Sequence, residues 1–485
     1  MAKEHFEATF GSLYNYKCPD WFRDVKFGIW SHWGPQSVPM FGDWYARNMY
    51  IQGTPQYNYH LRHYGHPSKF GYKDLCALWK AEKFDPDALM EKYYNAGARY
   101  FVSQASHHDN FFNYDSKVNR FNSVNVGPGK DICMMWKKAA QKYNMPFGIS
   151  EHLGASYSWW RVNKGYDEYG PYAGVKYDGA DKKLEFYHDN NYTGRDKIIE
   201  WPLDRWLTDN KKFRDYWLKA VTEMIDVLKP DLLYSDSALP FYERKIAEGK
   251  EDYDYGLKIV SHLYNTSIEE HGFNNAVYTQ KDDDPKIYTV GILDYERSQM
   301  NEIGEHPWQT DTCIGGWFYD SRQTYLKPGH IIEMLTDIIS KNGTMLLNIL
   351  QRPDGTIDEE ADWILSELAK WFSINGEAVY GSRPYTHYCE GTSNGKIEAF
   401  KEDRIDWNEG DFRFVVNGND LYAFVMCPRP GKSAVIRTVE DADKIRRITL
   451  LGHGEVEYNV FNGVINVKMP EKLPTEYVNT LKIEY

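Results

Sequence analysis

Short apolar runs recur along the chain up to Ile349, and helical patterns separate most of them. Each run is bounded by turn residues and has the length of a buried strand. The eight runs predict strands at residues 25–31, 99–105, 146–150, 231–235, 276–279, 288–293, 314–319 and 344–349.

Helical patterns lie between these predicted strands. Asp85-Pro86-Asp87 supplies a helix cap and a proline at the first helical position, and Gly97 ends that helix. Further helices are predicted at residues 131–143, 212–228, 255–271 and 328–340. Strands that alternate with helices predict a (β/α)8 barrel. The links between the fifth and sixth strands, and between the sixth and seventh, are too short for a full helix. We therefore expect a distorted barrel that lacks a helix or two.

The pattern changes after Arg383. A last helix is predicted at residues 359–374, ending near Asn375-Gly376. Beyond it, short β-prone pieces alternate with turns such as Asn417-Gly418 and Asn462-Gly463. This alternation of short β-prone pieces and turns predicts an antiparallel β-sandwich. The β-prone pieces are residues 396–400, 412–416, 421–426, 434–439, 448–451, 464–467 and 480–483, so we expect a barrel over residues 1–383 and a sandwich over residues 384–485.

Composition narrows the partners of the protein. The net charge is -13, and the 485 residues contain no cluster of Lys and Arg. Nucleic acid is therefore excluded as the main partner. The chain has 38 Tyr and 16 Trp, whose rings stack on sugars, and this excess favours carbohydrate. The Tyr-rich, weakly periodic residues 161–208 predict a wall or lid of an active site.

The sequence also limits where the protein works. Its six cysteines are scattered without a C-x-x-C pair, so neither a zinc ribbon nor a redox motif is expected. No apolar run is long enough to span a membrane, and we expect no membrane partner. Residues 1–20 lack the pattern of a signal peptide. The protein is therefore expected to be cytoplasmic, or a trimmed periplasmic or secreted chain, and a homo-oligomer remains open.

Unusual polar groups follow several predicted strands at their carboxyl ends, where barrel enzymes place their catalytic groups. Asp236 follows the fourth strand and is a candidate nucleophile. Imidazoles and carboxylates bind hydroxyl groups and indoles cover the apolar face of a sugar ring, so the combination favours a sugar pocket. The other groups are Ser31-His32-Trp33-Gly34 with Asp43-Trp44-Tyr45, Ser106-His107-His108-Asp109, Glu151-His152 and Asp294-Tyr295-Glu296-Arg297.

Taken together, these motifs resemble the α-L-fucosidases of glycoside hydrolase family 29. The opening signature is Lys26-Phe27-Gly28-Ile29-Trp30-Ser31-His32-Trp33-Gly34 with Trp44-Tyr45. A double-histidine motif follows at His107-His108-Asp109. Asn342-Gly343-Thr344-Met345-Leu346-Leu347-Asn348 and Asn375-Gly376-Glu377-Ala378-Val379-Tyr380 are also similar to family motifs. The resemblance covers residues 20–385 in order, and the family's usual sandwich matches the β-prone C-terminal region.

The resemblance implies a retaining double displacement through a covalent glycosyl–enzyme. Asp236 would be the nucleophile, in the place of the family's W-x-D acid. Glu296 is our choice for the acid/base residue, since it ends the appropriate strand. Glu302, Glu305 and Glu151 remain alternatives.

Other matches imply roles in sugar binding. His32, His107 and His108 match positions that bind sugar hydroxyls, and Trp44 matches one that contacts the ring. Tyr234 stands where the family usually has Trp. Ser106 replaces a Lys, Asn110 a Gly and Asp43 a Glu, which alters hydroxyl recognition and removes a positive charge. The candidate substrate-binding residues are His32, Asp43, Trp44, His107, His108, Glu151, Tyr234 and Arg297.

We expect neither a metal nor a cofactor. His60, His63 and His66 have H-x-x-H-x-x-H spacing, which does not keep three residues on one helical face. The sequence thus predicts an exo-acting α-L-fucosidase for fucosylated oligosaccharides or glycoconjugates. Three alternatives remain: the same chemistry on α-L-galactosides, a carbohydrate-binding protein without catalysis, and a metal-dependent hydrolase.

Overall fold

The computed structural model describes residues 5–181, 185–188, 206–241, 254–393, 402 and 404–485. Eight parallel strands pair in chain order and close into a barrel, which confirms the predicted fold class. The strands are β1 (Phe27–Ser31), β2 (Tyr100–Gln104), β3 (Phe147–Glu151), β4 (Leu232–Ser235), β5 (Val277–Gln280), β6 (Ile292–Glu296), β7 (Trp308–Cys313) and β8 (Gly343–Asn348).

Helices surround this barrel unevenly. Between β5 and β6 there is only a four-residue helix, and residues 297–307, between β6 and β7, form none. The expected distortion is therefore confirmed. The α-helices are α1 (Phe10–Leu13), α2 (Asp20–Val25), α3 (Tyr45–Asn48), α4 (Pro55–His63), α5 (Tyr72–Leu78), α6 (Pro86–Asn95), α7 (Ile132–Gln141), α8 (Ser156–Trp159), α9 (Lys211–Leu228), α10 (Asp254–His271), α11 (Pro285–Tyr288), α12 (Pro328–Ser340) and α13 (Glu359–Val379).

The inside of the barrel is packed with apolar side chains. Trp30, Leu232, Val277 and Ile292 from four strands meet there in one cluster. The ring of Tyr100 lies directly against Gly28, where a Cβ would sit 2.2 Å from the ring. Glycine at position 28 therefore lets Tyr100 fill the interior. Because this layer closes the barrel below, a cavity can open only at the carboxyl ends of the strands.

The seventh strand was predicted wrongly. The apolar run at residues 314–319 lies after the strand, which is β7 at Trp308–Cys313. All six residues of β7 are buried, yet Gln309, Thr310, Asp311 and Thr312 are polar. The inner face of the barrel is polar at this strand, so an apolar criterion passes over it.

The last helix is longer than predicted. Helix α13 continues through Asn375-Gly376 to Val379. Asn375 is buried and donates a hydrogen bond to the carbonyl of Trp371, while Ala378 and Val379 pack into the core. Tertiary packing thus overrides the local signal for a turn.

The C-terminal region forms two antiparallel sheets. The larger has the order β14-β13-β17-β11-β10-β9 and the smaller β12-β16-β15. The sequence missed β9, β14 and β15, which are only partly buried or exposed, and predicted residues 396–400 lie outside the described residues. The strands are β9 (Arg383–Glu390), β10 (Phe412–Asn417), β11 (Asp420–Val425), β12 (Ser433–Ile436), β13 (Arg447–Leu450), β14 (Gly454–Glu455), β15 (Tyr458–Phe461), β16 (Val464–Lys468) and β17 (Asn479–Glu484).

All six cysteines are free. Among the described residues, no helix combines the length and the apolar character that crossing a bilayer requires.

A buried ionic cluster joins the barrel to the sheets. Asp337 of α12 contacts the guanidinium of Arg413 on β10, and Lys341 lies 2.8 Å from its other oxygen. Gln299 donates to the same oxygen at 2.8 Å. The side chains of Asp337, Arg413 and Lys341 are at most 4% exposed. One carboxylate therefore holds two buried cations.

Asp337→Ala should destabilise the protein strongly, because Arg413 and Lys341 would stay buried without their carboxylate. We expect a loss of about 3–5 kcal/mol in the free energy of unfolding. Urea unfolding followed by tryptophan fluorescence measures it. Lys370→Ala, which removes a largely exposed partner of Glu367, is the control and should change stability by less than about 1 kcal/mol. Equal effects would contradict this account of the cluster.

Candidate active site

A cavity of about 400 Å³ opens at the carboxyl ends of the barrel strands. Eight of the ten residues predicted for the site line it: His32, Asp43, Trp44, His107, His108, Tyr234, Asp236 and Glu296. These residues come from loops and strand ends far apart in the sequence, and the barrel brings them together.

The alternation of side chains along each strand aims the central residues inward. In β4, Leu232 and Tyr234 pack in the barrel interior, whereas Leu233 packs on the outer face. Asp236, two residues after Tyr234, continues the inward series. The same step leads from Trp30 to His32, from Gly148 through Ser150 to His152, from Val277 through Thr279 to Lys281, and from Ile292 through Asp294 to Glu296.

Lys281 links the two acidic candidates. Its ammonium nitrogen lies 2.7 Å from Oδ1 of Asp236 and also contacts Oε2 of Glu296. Burial alone would lower the pKa of Lys281, but Asp236 and Glu296 hold it well above its usual range. Lys281 is therefore a cation between two carboxyl groups.

The two carboxyl groups differ in their pKa. Burial alone would raise the pKa of Asp236, yet Lys281, then His152 and His108, hold it well below its usual range. Burial raises the pKa of Glu296 to about 7, despite Lys281, and the carboxylate of Asp311 adds to the rise. At neutral pH the site therefore contains an ionised Asp236 beside a Glu296 that is about half protonated.

The imidazoles of the cavity are mostly neutral. Burial holds the pKa values of His32 and His107 well below the ordinary histidine value, and it lowers that of His152 to about 3. His108 contacts the carbonyl of His152 at 2.6 Å through Nδ1 and lies 3.3 Å from Asp236 through Nε2. This ring thereby braces the nucleophile candidate against the end of β3.

One group of side chains has the spacing of a metal site. Among the described residues, His32, His107 and His152 form the one set of three possible ligands whose atoms lie within 4.8 Å of one another. However, the side-chain nitrogen of Gln36 lies 2.9 Å from Nδ1 of His107. An amide nitrogen can only donate, so neutral His107 carries its proton on Nε2. That arrangement offers an N–H to a hydroxyl and no lone pair to a metal.

The histidines of the H-x-x-H-x-x-H motif do not converge. His60 and His63 lie on α4, and His66 follows it. His60 contacts the carbonyl of Phe70, His63 that of Tyr59, and His66 lies 3.3 Å from Asp167. Each ring thus serves a separate local contact.

Asp43 and Trp44 form one side of the cavity. Burial raises the pKa of Asp43 to about 7. Its Oδ1 accepts a hydrogen bond from the backbone N–H of Trp44 at 2.7 Å. Trp206 stacks on Trp44 with ring centroids 5.7 Å apart and an angle of 9°. The described end of the Tyr-rich segment, at Trp206, therefore contributes to the cavity wall, whereas its residues 182–184 and 189–205 lie outside the described residues.

Two predicted substrate-binding residues do not face the cavity. Glu151 is buried, and its carboxylate accepts hydrogen bonds from the N–H of Leu153 and the indole of Trp217. Arg297 contacts Glu402 at 3.0 Å. Both residues lie one position away from the inward series of their strands, so the pleat turns them aside.

The alternatives to Glu296 also lie elsewhere. Glu302 and Glu305 are exposed and line a separate surface depression. Among the candidate acid/base residues, Glu296 alone lines the same cavity as Asp236.

Two departures from the family pattern have local explanations. Asn110 adopts a left-handed φ of 61°, which Asn tolerates better than most residues and which suits the Gly usual there. Ser106 lacks the positive charge of the Lys usual at this position, but Lys281, just after β5, supplies a cation to the cavity.

The sequence reasoning missed several residues of the cavity wall. Lys281 and Asp311 carry polar groups, and Trp30, Trp206 and Trp317 are aromatic. His152 was noted with Glu151 after the third strand but was not chosen as a site residue. Lys281 and His152 could have been selected by continuing the inward series to the first residue after β5 and after β3. Asp311 was missed because β7 itself was misplaced.

Comparisons with known proteins agree on one family. The model of a family described as Alpha-L-fucosidase matches residues 1–377. A tissue alpha-L-fucosidase from Mus musculus is 26% identical over 507 aligned positions, covering 100% of this chain and 95% of the relative.

Solved structures share the fold. The alpha-fucosidase of Thermotoga maritima, in complex with fucose, has a TM-score of 0.75 at 22% identity, covering 99% of this chain and 100% of the other. An alpha-L-fucosidase from Bacteroides thetaiotaomicron, solved as a trapped covalent intermediate, has a TM-score of 0.64 at 16% identity, covering 96% and 95%.

Proposed function

Since this chain belongs to the alpha-L-fucosidase family, a family of glycoside hydrolases, we propose that it is an exo-acting, retaining α-L-fucosidase. Its substrates are terminal α-L-fucosyl residues of oligosaccharides or glycoconjugates. The observation that carries the proposal is the pair of carboxyl groups, Asp236 and Glu296, that share the ammonium of Lys281 inside one cavity.

The shared ammonium limits the distance between the two carboxyl groups. Two oxygens that contact one nitrogen lie no farther apart than about two hydrogen-bond lengths, roughly 5.5 Å. Retaining glycosidases separate their carboxyl groups by about 5–5.5 Å, and inverting ones by about 6.5–9.5 Å. The geometry therefore supports a double displacement. The covalent intermediate trapped in the Bacteroides relative supports the same route.

The difference in pKa between Asp236 and Glu296 supports a different role for each residue. Ionised Asp236 attacks the anomeric carbon, and the bond to the leaving oxygen breaks as Glu296 transfers its proton to that oxygen. Water then attacks the anomeric carbon of the glycosyl ester, Glu296 takes a proton from this water, and Asp236 leaves as a carboxylate. Each residue thus returns to its starting state.

The shape and lining of the cavity support an exo action on one terminal sugar. Trp30 and the apolar interior layer close the cavity below. The neutral imidazole of His107 offers its Nε2–H to a hydroxyl, and the Trp44 indole offers an apolar face. A sugar chain can therefore enter only by its end.

Asp236→Gly should lose activity by at least about 10³-fold, because no nucleophile remains. 4-Nitrophenyl α-L-fucoside is the substrate, and its L-galactose counterpart measures the preference at the sixth carbon. Azide should restore turnover and give a fucosyl azide of inverted configuration, identified by NMR. Wild type inactive on both sugars would refute the proposed function, and a fully active variant would refute the nucleophile.

Glu296→Ala should lose about 10²–10⁴-fold on natural glycans and least on substrates with good leaving groups. Azide should here give a product of retained configuration. Because Glu296 must be protonated to act and its pKa is about 7, kcat/KM of the wild type should fall as the pH rises through 7. Asp43 also titrates near 7, so Asp43→Asn is the control and should keep this basic limb. If Glu296→Ala hydrolysed natural glycans as fast as wild type, another residue would have to be the acid/base.

Lys281→Met should shift the whole pH profile upward, because the ammonium lowers the pKa of both Asp236 and Glu296. Without it, Asp236 ionises at higher pH and Glu296 keeps its proton to higher pH. Lys281→Arg retains the charge and should leave both limbs close to those of wild type. The dependence of kcat/KM on pH measures this, and an unshifted profile in Lys281→Met would argue against the electrostatic role of Lys281.

A further inference from the structure

Asp311 is a further acid of the cavity lining beside Asp43, Asp236 and Glu296, and neither displacement step uses it. It lies on β7 in register with Glu296 on the neighbouring strand β6. It is 0% exposed and contributes to the cavity lining. A buried carboxylate directly beside the acid/base residue is costly to maintain without a function.

One oxygen of Asp311 accepts a hydrogen bond from Tyr234, which also contacts Asp236. The hydroxyl of Tyr234 lies 3.1 Å from Oδ2 of Asp311 and 3.3 Å from Oδ1 of Asp236. A hydroxyl has one proton, so Tyr234 is shared between these two acceptors. The position of Asp311 therefore fixes the direction from which Tyr234 reaches Asp236.

A second acid, Asp294 of the neighbouring strand β6, lies next to Asp311. Among the described residues, Oδ1 of Asp311 and Oδ2 of Asp294 are both buried and lack a hydrogen-bond donor. The two carboxyl groups contact each other, and burial together with the charge of Asp311 raises the pKa of Asp294 well above its ordinary value. Gln309 donates to Oδ1 of Asp294. A proton on Asp294 would supply a donor to this pair of carboxyl groups, in which Oδ2 of Asp294 and Oδ1 of Asp311 otherwise lack one.

We propose that Asp311 is a positioning residue: through Tyr234 it orients Asp236, and its negative charge keeps the proton on Glu296, while protonated Asp294 holds Asp311 in place. This inference rests on the proposed function for its kinetic consequences only.

The charges that face Glu296 come from every neighbouring strand and loop. Lys281, just after β5, favours the ionised form of Glu296, whereas Asp311 on β7 and Asp236, just after β4, oppose it. Asp43 lies across the cavity, and Arg297 is paired with Glu402. Asp236 must be ionised for attack, so Asp311 is the group whose charge can be removed without removing the nucleophile.

Asp311→Asn keeps the shape and removes the charge. The pKa of Glu296 should fall, so the basic limb of kcat/KM should move to lower pH by about one unit. Asp294→Asn is the matched control: its amide N–H can donate to Asp311 as the protonated acid does, so the basic limb should stay in place. Tyr234→Phe tests orientation separately and should lower kcat, with the basic limb unmoved.

Infrared pH-difference spectra give a second readout that needs no turnover. The C=O band of protonated Glu296, identified by its loss in Glu296→Gln, should titrate at lower pH in Asp311→Asn than in wild type. If wild type hydrolyses no fucoside but this band shifts, the proposed function fails and the inference stands. The inference is overturned if Asp311→Asn moves neither band nor limb, or if Asp294→Asn moves them equally. Should Asp311→Asn fail to fold in a thermal melt, an unchanged kcat in Tyr234→Phe would overturn it as well.

Discussion

Alternation of side chains along the closed barrel strands is the constraint on which the site depends. An apolar inner layer that includes Trp30 and Leu232 sets the inward positions. Every second residue after that layer must then point to the cavity. Because all eight strands are parallel, these inward residues meet at the same end of the barrel. They are His32, His152, Asp236, Lys281 and Glu296. A shift by one residue turns a side chain away from the cavity, as Glu151 and Arg297 illustrate.

The electrostatics of the cavity follow from this convergence. In the described part of the cavity wall Lys281 is the one lysine; it contacts Asp236 and Glu296, and Asp311 lies in register with Glu296. The cation serves both Asp236 and Glu296, yet their pKa values diverge, because His108 also contacts Asp236 whereas Asp311 flanks Glu296. Two carboxyl groups in one cavity are thereby pushed toward opposite protonation states, which is the condition for acid and nucleophile to act together.

The sequence was sufficient for the barrel and for most helices, because apolar runs and helix caps mark them locally. Eight of the ten candidate site residues, chosen from strand ends and family motifs, line the cavity. The prediction from sequence failed where the buried residues are polar. The seventh strand was predicted too late in the chain because the inward residues of β7, Gln309 and Asp311, are polar. Asp311 was therefore not recognised as a residue of the cavity. Lys281 carries no local signal, because a lysine after a strand usually faces solvent. Only the register between strands reveals that it neutralises two acids.

The C-terminal sheets bear on the chemistry through the loop after β6. Two residues of this loop are held on that side of the molecule: Arg297 contacts Glu402, and Gln299 donates to Asp337. Asp337 is in turn fixed by Arg413 of β10. The described residues 297–307, between β6 and β7, form no helix, and these contacts attach the loop that follows Glu296 to the C-terminal side of the molecule. The distortion of the barrel and the attachment of the sheets are thus two aspects of one arrangement.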